Sequence, residues 1–236
     1  MHGRHAFPRP ACFDARHGTV WLSADAGAGI DGFFDKYENA TLTALLTDLG
    51  IDPGFFADDD GRLYLYFGSS NDKPIYGQEI DPRTFEPIGK STELLRLHDD
   101  VHGWERFGEA NDNTWLRPFI EGSWMTKHAG KYYLQYGGPG TEFSGYGDGV
   151  YVGDMPLGPF TYQAHNPFSY KPGGFARGAG HGSTFEDPHG NWWHTSTIAI
   201  GVKNNFERRI GIWPAGFDVF QPFHPTNWVG HFTRNC

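Results

Sequence analysis

Four stretches of the chain repeat one arrangement of apolar and polar positions. Residues 55–68 (FFADDDGRLYLYFG), 124–137 (WMTKHAGKYYLQYG) and 184–197 (TFEDPHGNWWHTST) align with one another, and residues 12–25 (CFDARHGTVWLSAD) align more loosely. Each opens on a short apolar run, passes through a polar turn ending in glycine, and continues as an aromatic-rich run. A D-G, A-G or H-G pair between apolar runs marks a hairpin, because glycine takes the left-handed backbone such a turn needs. The pattern predicts hairpins turning at Gly18, Gly61, Gly130 and Gly190. Further strands are expected at 75–81, 149–155 and 209–217, with a strand-turn-strand unit over 153–162. Residues 37–50 read as a helix or an ordered crossing, and 96–118, which lack a clean period, as a long loop.

The turn glycines recur at intervals of roughly 40–70 residues, the size of a four-stranded propeller blade with its loops. Composition supports short strands over helices: aromatics make up 17% of the chain and 33 residues are glycine. Aromatic side chains suit pleated surfaces and glycine weakens helices. No linker or low-complexity segment divides the chain, so residues 1–236 are expected to form a single β-propeller domain. Its last stretch, 221–236, loses the alternation and reads as an atypical tail.

The repeat also places chemistry. Nine residues before each turn glycine stands a polar residue beside proline or glycine: Arg9-Pro10, Asp52-Pro53, Glu121-Gly122 and His181-Gly182. Rotation about one axis would gather equivalent positions at the heads of the innermost strands, around one channel. A carboxylate crowded by a like charge is pushed to higher pKa, and a cation does the reverse, so such a cluster can divide acid and base roles.

The net charge of −9 argues against a nucleic-acid partner, which would ask for a basic surface. No apolar run is long enough to cross a bilayer. The segment MHGRHAFPRP lacks the charged and apolar regions of a secretory signal, so a cytoplasmic location is expected, or a secreted or periplasmic one where a longer gene product carries a signal. Cys12 and Cys236 give neither a disulfide framework nor zinc spacing, and the twelve histidines form no HExxH-type pattern. DDDG (58–61) fits a hairpin turn better than a calcium loop, for it lacks the remaining ligands. GAGHGS (178–183) and GGPG (137–140) have no strand-then-helix context for phosphate binding, and no G-x-S-x-G nucleophile motif occurs.

Aromatic residues gather before Glu121: Trp104, Trp115, Phe119 and, just after it, Trp124. Packing between blades accounts for most of them. Trp115 and Phe119 lie on the loop entering the Glu121 strand and are the candidates for stacking on a sugar face. Arg208 and Arg9 are candidates for bonds to sugar hydroxyls or to the channel acids.

Three segments in order, IDPGFFADDDGRLYLYFG (51–68), IEGSWMTKHAGKYYLQYG (120–137) and GHGSTFEDPHGNWWH (180–194), resemble glycoside hydrolase family 43. The resemblance covers most of residues 7–217. It implies a five-bladed β-propeller that hydrolyses arabinose- or xylose-containing plant-type glycans with inversion, of α-L-arabinofuranosidase or β-xylosidase type. By the same resemblance, Glu121 matches the general acid and Asp52 the residue that tunes its pKa. His181 matches a channel histidine that reaches a central metal, commonly one calcium ion, through water. The family's base is an aspartate heading the first blade. No D-P strand head precedes Cys12, and Asp14 falls on the turn side of its hairpin. The expectation is therefore a propeller lacking part or all of its first blade, with exposed strand edges. Three readings follow: a glycosidase whose base comes from elsewhere; a carbohydrate-binding propeller without turnover, or an inactive truncated fragment lacking the base; and a protein-interaction scaffold, which fits the fold but not the acid pair. No oligomeric state is legible.

Overall fold

A computed structural model describes residues 13–14, 19–20, 52–171, 176–201 and 207–217. Arg9, the expected crossing at 37–50 and the tail at 221–236 lie outside the described residues. The described chain is built from antiparallel sheets. β1 (Phe13–Asp14) pairs with β2 (Thr19–Val20) as a two-residue ladder around the predicted turn. The next sheet runs in chain order through β3 (Gly54–Ala57), β4 (Leu63–Phe67), β5 (Ile75–Ile80) and β6 (Pro87–Leu95). The following sheet contains β7 (Glu121–His128), β8 (Lys131–Gly138), β9 (Gly147–Gly153) and β10 (Phe160–Tyr162), and β11 (Ser169–Tyr170) pairs back onto β9. The last contains β12 (Arg177–Glu186), β13 (Trp192–Ala199) and β14 (Arg208–Ala215).

Each sheet is an up-and-down meander whose first strand packs toward its neighbours, so β3, β7 and β12 are the inner strands of three propeller blades. All three fully described hairpins turn where the pattern put them, with Gly61, Gly130 and Gly190 at φ +85°, +77° and +84°. The pattern missed β6 and β11. β6 is charged and largely exposed, as an outer edge strand can be, so it carries no apolar alternation.

Burial explains the aromatic composition. Every residue of β4, LYLYF, is buried, because both faces of a blade strand are covered by neighbouring blades. Phe56, Tyr64, Tyr66, Ile75 and Leu95 of the β3–β6 blade meet Ile120, Met125, Tyr132, Leu134 and Tyr136 of the β7–β11 blade in one cluster. Full burial of each such side chain contributes about 1.5–3 kcal/mol. At the turn end of the same interface, buried Asp58 accepts a hydrogen bond from the Tyr132 hydroxyl (2.5 Å) and pairs with Lys127, which also reaches Asp59 at 2.9 Å. Burial works against the Lys127 charge, yet these oxygens together hold its pKa above the ordinary value.

The 96–118 segment is a loop, as expected, but an anchored one. A 3₁₀ turn at Gly103–Glu105 buries the Glu105 carboxylate completely. That carboxylate accepts hydrogen bonds from the His98 backbone N–H (2.8 Å) and the Tyr136 hydroxyl (2.6 Å), and lies 3.0 Å from His102 Nδ1. Trp104 packs against Tyr136 and donates its indole N–H to the Tyr162 hydroxyl at 2.9 Å.

β3 and β7 approach closely at Gly54, where an added Cβ would lie 2.5 Å from the Ser123 carbonyl oxygen. Gly54→Ala is expected to lower unfolding free energy by about 1–3 kcal/mol in urea denaturation. Gly216→Ala, where nothing lies within 4 Å, should stay within about 0.5 kcal/mol of the wild type.

Candidate active site

The heads of the three inner strands share an unusual backbone. Asp52 and His181 adopt left-handed φ values of +62° and +54°, and Gly122, following Glu121, adopts +61°. Non-glycine residues enter this region at some cost, Asp and His more readily than most, and such strain clusters at functional sites. The ladders are broken at the same level. The β7–β8 register shifts between Glu121 and Trp124, and the β12–β13 register shifts between Gly180 and Ser183. Each bulge turns its strand head inward and re-aims the side chain there.

The consequence is convergence. One donor atom from each of Asp52, Glu121 and His181 lies within 4.8 Å of the others. The His181 ring lies over Gly122, where an added Cβ would stand 2.7 Å from the ring carbon Cγ, so only glycine leaves room for the imidazole. His181 Nδ1 is 3.9 Å from Glu121 Oε1. The Glu121 side chain is 13% exposed while that of His181 is 40% exposed, so the imidazole lies at the opening and the carboxyl behind it.

Two further groups hold Glu121. The buried Tyr146 hydroxyl donates to Oε1 at 2.5 Å, and the Ser69 hydroxyl lies 3.4 Å from Oε2. Burial pushes the Glu121 pKa above the ordinary carboxylate value and the negative charge of Asp52 pushes the same way. Tyr146, His181 and Ser69 pull it back only in part. Asp52 Oδ2 is buried and has no hydrogen-bond partner among the described residues.

Neither Tyr146 nor Ser69 was legible in the sequence. Tyr146, 25 residues along the chain, precedes β9 of Glu121's own sheet, and Ser69, 52 residues away, follows β4 of the neighbouring one, so each reaches Glu121 only through the tertiary fold.

Calcium takes about six to eight oxygen ligands, and two carboxylates and one imidazole nitrogen, with Glu121 already hydrogen-bonded, do not fit a directly held ion. A calcium that reached His181 only through water would not need these atoms as direct ligands.

The model of glycosyl hydrolases family 43 matches residues 10–212. The chain belongs to this family. The family-43 chain is 34% identical over 135 residues to a beta-xylosidase of Xylanibacter ruminicola, covering 48% of this chain and 40% of that protein. It is 33% identical over 133 residues to an arabinoxylan arabinofuranohydrolase of Bacillus subtilis (strain 168), covering 52% and 23%. Among solved structures, a thermostable family-43 glycoside hydrolase superposes with a TM-score of 0.59 at 26% identity, covering 72% of this chain and 55% of that one. The chain spans less than half the length of the curated relatives it matches. The all-β propeller class expected from the turns holds.

The remaining candidates of this family-43 chain lie apart from the three-residue cluster. Trp115 is 91% exposed, on a turn where Asn113 Oδ1 accepts the N–H groups of Trp115 (2.9 Å) and Leu116 (3.0 Å). Phe119 packs edge-on against Phe107, 5.7 Å between ring centres, and so is engaged in holding the loop. Arg208 opens β14, is exposed, and donates to the Thr141 hydroxyl at 2.5 Å. Asp14 closes the short β1 ladder opposite Thr19, and only its backbone is described.

The Tyr146 hydroxyl stabilises the ionised form of Glu121, so removing it favours the proton. Tyr146→Phe is expected to raise the Glu121 pKa further, as read by ¹³C NMR titration of carboxyl-labelled glutamate.

Proposed function

We propose that this chain carries the acid side of an inverting glycoside hydrolase acting on arabinose- or xylose-containing plant glycans, as an α-L-arabinofuranosidase or β-xylosidase. The observation that carries the proposal is the pairing at the strand heads: a buried carboxyl of raised pKa, Glu121, beside a second carboxyl group, Asp52, whose Oδ2 has no hydrogen-bond partner among the described residues. A carboxyl whose raised pKa favours its protonated form can deliver that proton to a departing glycosidic oxygen, which would otherwise leave as an unstable alkoxide. Glu121 is the general acid. Asp52 raises its proton affinity and, after transfer, favours its reprotonation. Tyr146 fixes the carboxyl in place, and His181 covers the opening and offers a partial positive charge to the spent carboxylate.

Spacing supports this division. Inverting pairs stand about 6.5–9.5 Å apart to admit water, and retaining pairs about 5–5.5 Å apart. Asp52 and Glu121 present oxygens within 4.8 Å, too close for a water-activating partner in the inverting arrangement. Asp52 is therefore a modulator, and the base belongs outside this cluster. The names of the relatives, a beta-xylosidase and an arabinoxylan arabinofuranohydrolase, support pentose-containing substrates.

A second reading, a sugar-binding propeller without turnover, is favoured by one observation: among the described residues the cluster contains no third carboxylate to serve as base. It predicts saturable binding of xylo- or arabino-oligosaccharides with no release of pentose. Appearance of product with inverted anomeric configuration by ¹H NMR rejects it.

Glu121→Gln should lower the rate of pentose release from oligosaccharides by about 10²–10⁴-fold, with a smaller loss on activated aryl glycosides, whose leaving groups need little protonation. Equal activity of the variant and the wild type on oligosaccharides would remove Glu121 from the role. Asp52→Asn takes away a negative charge, so the Glu121 pKa falls and the alkaline limb of kcat/KM should move to lower pH.

A further inference from the structure

Behind His181 lies a second group of polar residues that the proposed chemistry does not use. Asp148, on β9, and His194, on β13, are 1% and 2% exposed. His194 Nε2 lies 3.2 Å from Asp148 Oδ2, and its Nδ1 lies 2.9 Å from the Thr184 hydroxyl. The Gln135 side-chain amide donates to that hydroxyl at 2.7 Å. The hydroxyl then donates to Nδ1, which leaves the imidazole proton on Nε2, facing the carboxylate. Hydroxyl, imidazole and carboxylate stand in the order of a nucleophilic triad, but Thr184 is buried as deeply as the other two and no substrate carbonyl can reach it.

The other Asp148 oxygen shows what the pair is for. Oδ1 accepts the Gly182 backbone N–H at 3.2 Å. Gly182 follows His181 within the β12 bulge, and a Cβ there would collide with Asp148 Oδ2, the Thr195 carbonyl oxygen and the His194 ring. The turn is thus pressed against the carboxylate on one side while the His181 ring is pressed onto Gly122 on the other. The Thr184 carbonyl also accepts the Trp124 indole N–H (2.9 Å) and the Thr126 hydroxyl (3.0 Å) of β7, the strand that carries Glu121. One buried network therefore joins β7, β8, β9, β12 and β13 directly below the strand heads.

We propose that Asp148 is a positioning residue for the acid site: through Gly182 and His194 it fixes the bulged turn that sets His181 on Gly122 and beside Glu121. The proposal rests on Glu121 serving as the acid. A left-handed non-glycine residue at the tip of a bulge does not hold its own position, since the strain favours relaxation toward an ordinary strand backbone. A buried carboxylate with one oxygen on the turn and the other on a fixed imidazole supplies the restraint.

The test is a double-mutant cycle on pentose release by the full chain. Asp148→Ala should lower kcat about 10–100-fold with KM within about 3-fold, since misplacement of a group by about 1 Å costs up to about 100-fold. Asp148→Asn keeps an acceptor for Gly182 but turns an NH2 group toward His194 Nε2–H, so it should recover only part of the loss, with kcat between that of Asp148→Ala and that of the wild type. Because Asp148 acts through His181, the pair Asp148→Ala/His181→Ala should be no slower than His181→Ala alone. Losses that multiply in the double variant, or an Asp148→Ala enzyme with unchanged kcat, overturn the proposal. If Asp148→Ala fails to fold, His194→Gln, which leaves a polar group in the cavity, enters the same cycle with the same non-additivity expected. Absence of turnover in the wild type refutes the hydrolase reading alone. The positioning claim is then decided by crystal structures: the His181 ring should leave Gly122 in Asp148→Ala or His194→Gln, and a ring that stays overturns it.

Discussion

The central constraint on this molecule is a carboxyl group kept out of water beside a second carboxylate. Glu121 and Asp52 would separate, or take up solvent, on any surface free to relax, because two like charges at this range repel and each gains by hydration. They stay together because each is fixed to a different sheet. Asp52 belongs to the lead-in of β3 and Glu121 to the head of β7, and those strands are packed through an aromatic interface that contains Phe56, Tyr64, Tyr132 and Tyr136. Repulsion at one end of the strands is opposed by burial along their length and by the Asp58–Lys127 pair at the other end.

That arrangement explains why the sequence disclosed part of the site and concealed the rest. The turn glycines and the polar residues nine positions before them follow the chain, so the equivalence of Asp52, Glu121 and His181 as strand heads is legible in the sequence itself. Tyr146, Ser69 and Asp148 obey no such period. Each comes to its partner from a strand or loop distant in the chain, and a tyrosine among eleven carries no mark of the carboxylate it will touch. The segment 96–118 was equally opaque. Its order comes from Glu105, a residue whose charge argues for the surface, and only the arrival of Tyr136 and the His98 N–H makes its burial affordable. β6 escaped notice for the opposite reason: an edge strand needs no apolar face, so its charged residues resemble a loop.

The two blade interfaces meeting at β7 differ in kind, and the difference bears on catalysis. Between β3 and β7 the contacts are chiefly aromatic and aliphatic. Such burial is strong but non-directional, and small shifts along the interface cost little. Between the β7–β8 hairpin and β12, hydrogen bonds converge on Thr184 from Trp124, Thr126 and Gln135. Hydrogen bonds lose strength steeply with angle and distance, so this interface fixes register instead of merely resisting separation. Under the proposed reading, proton transfer to a departing oxygen tolerates little misalignment, which favours an acid on the strand that both interfaces share. β7 is that strand: one side holds it in the fold, and the other sets where along the fold Glu121 comes to rest.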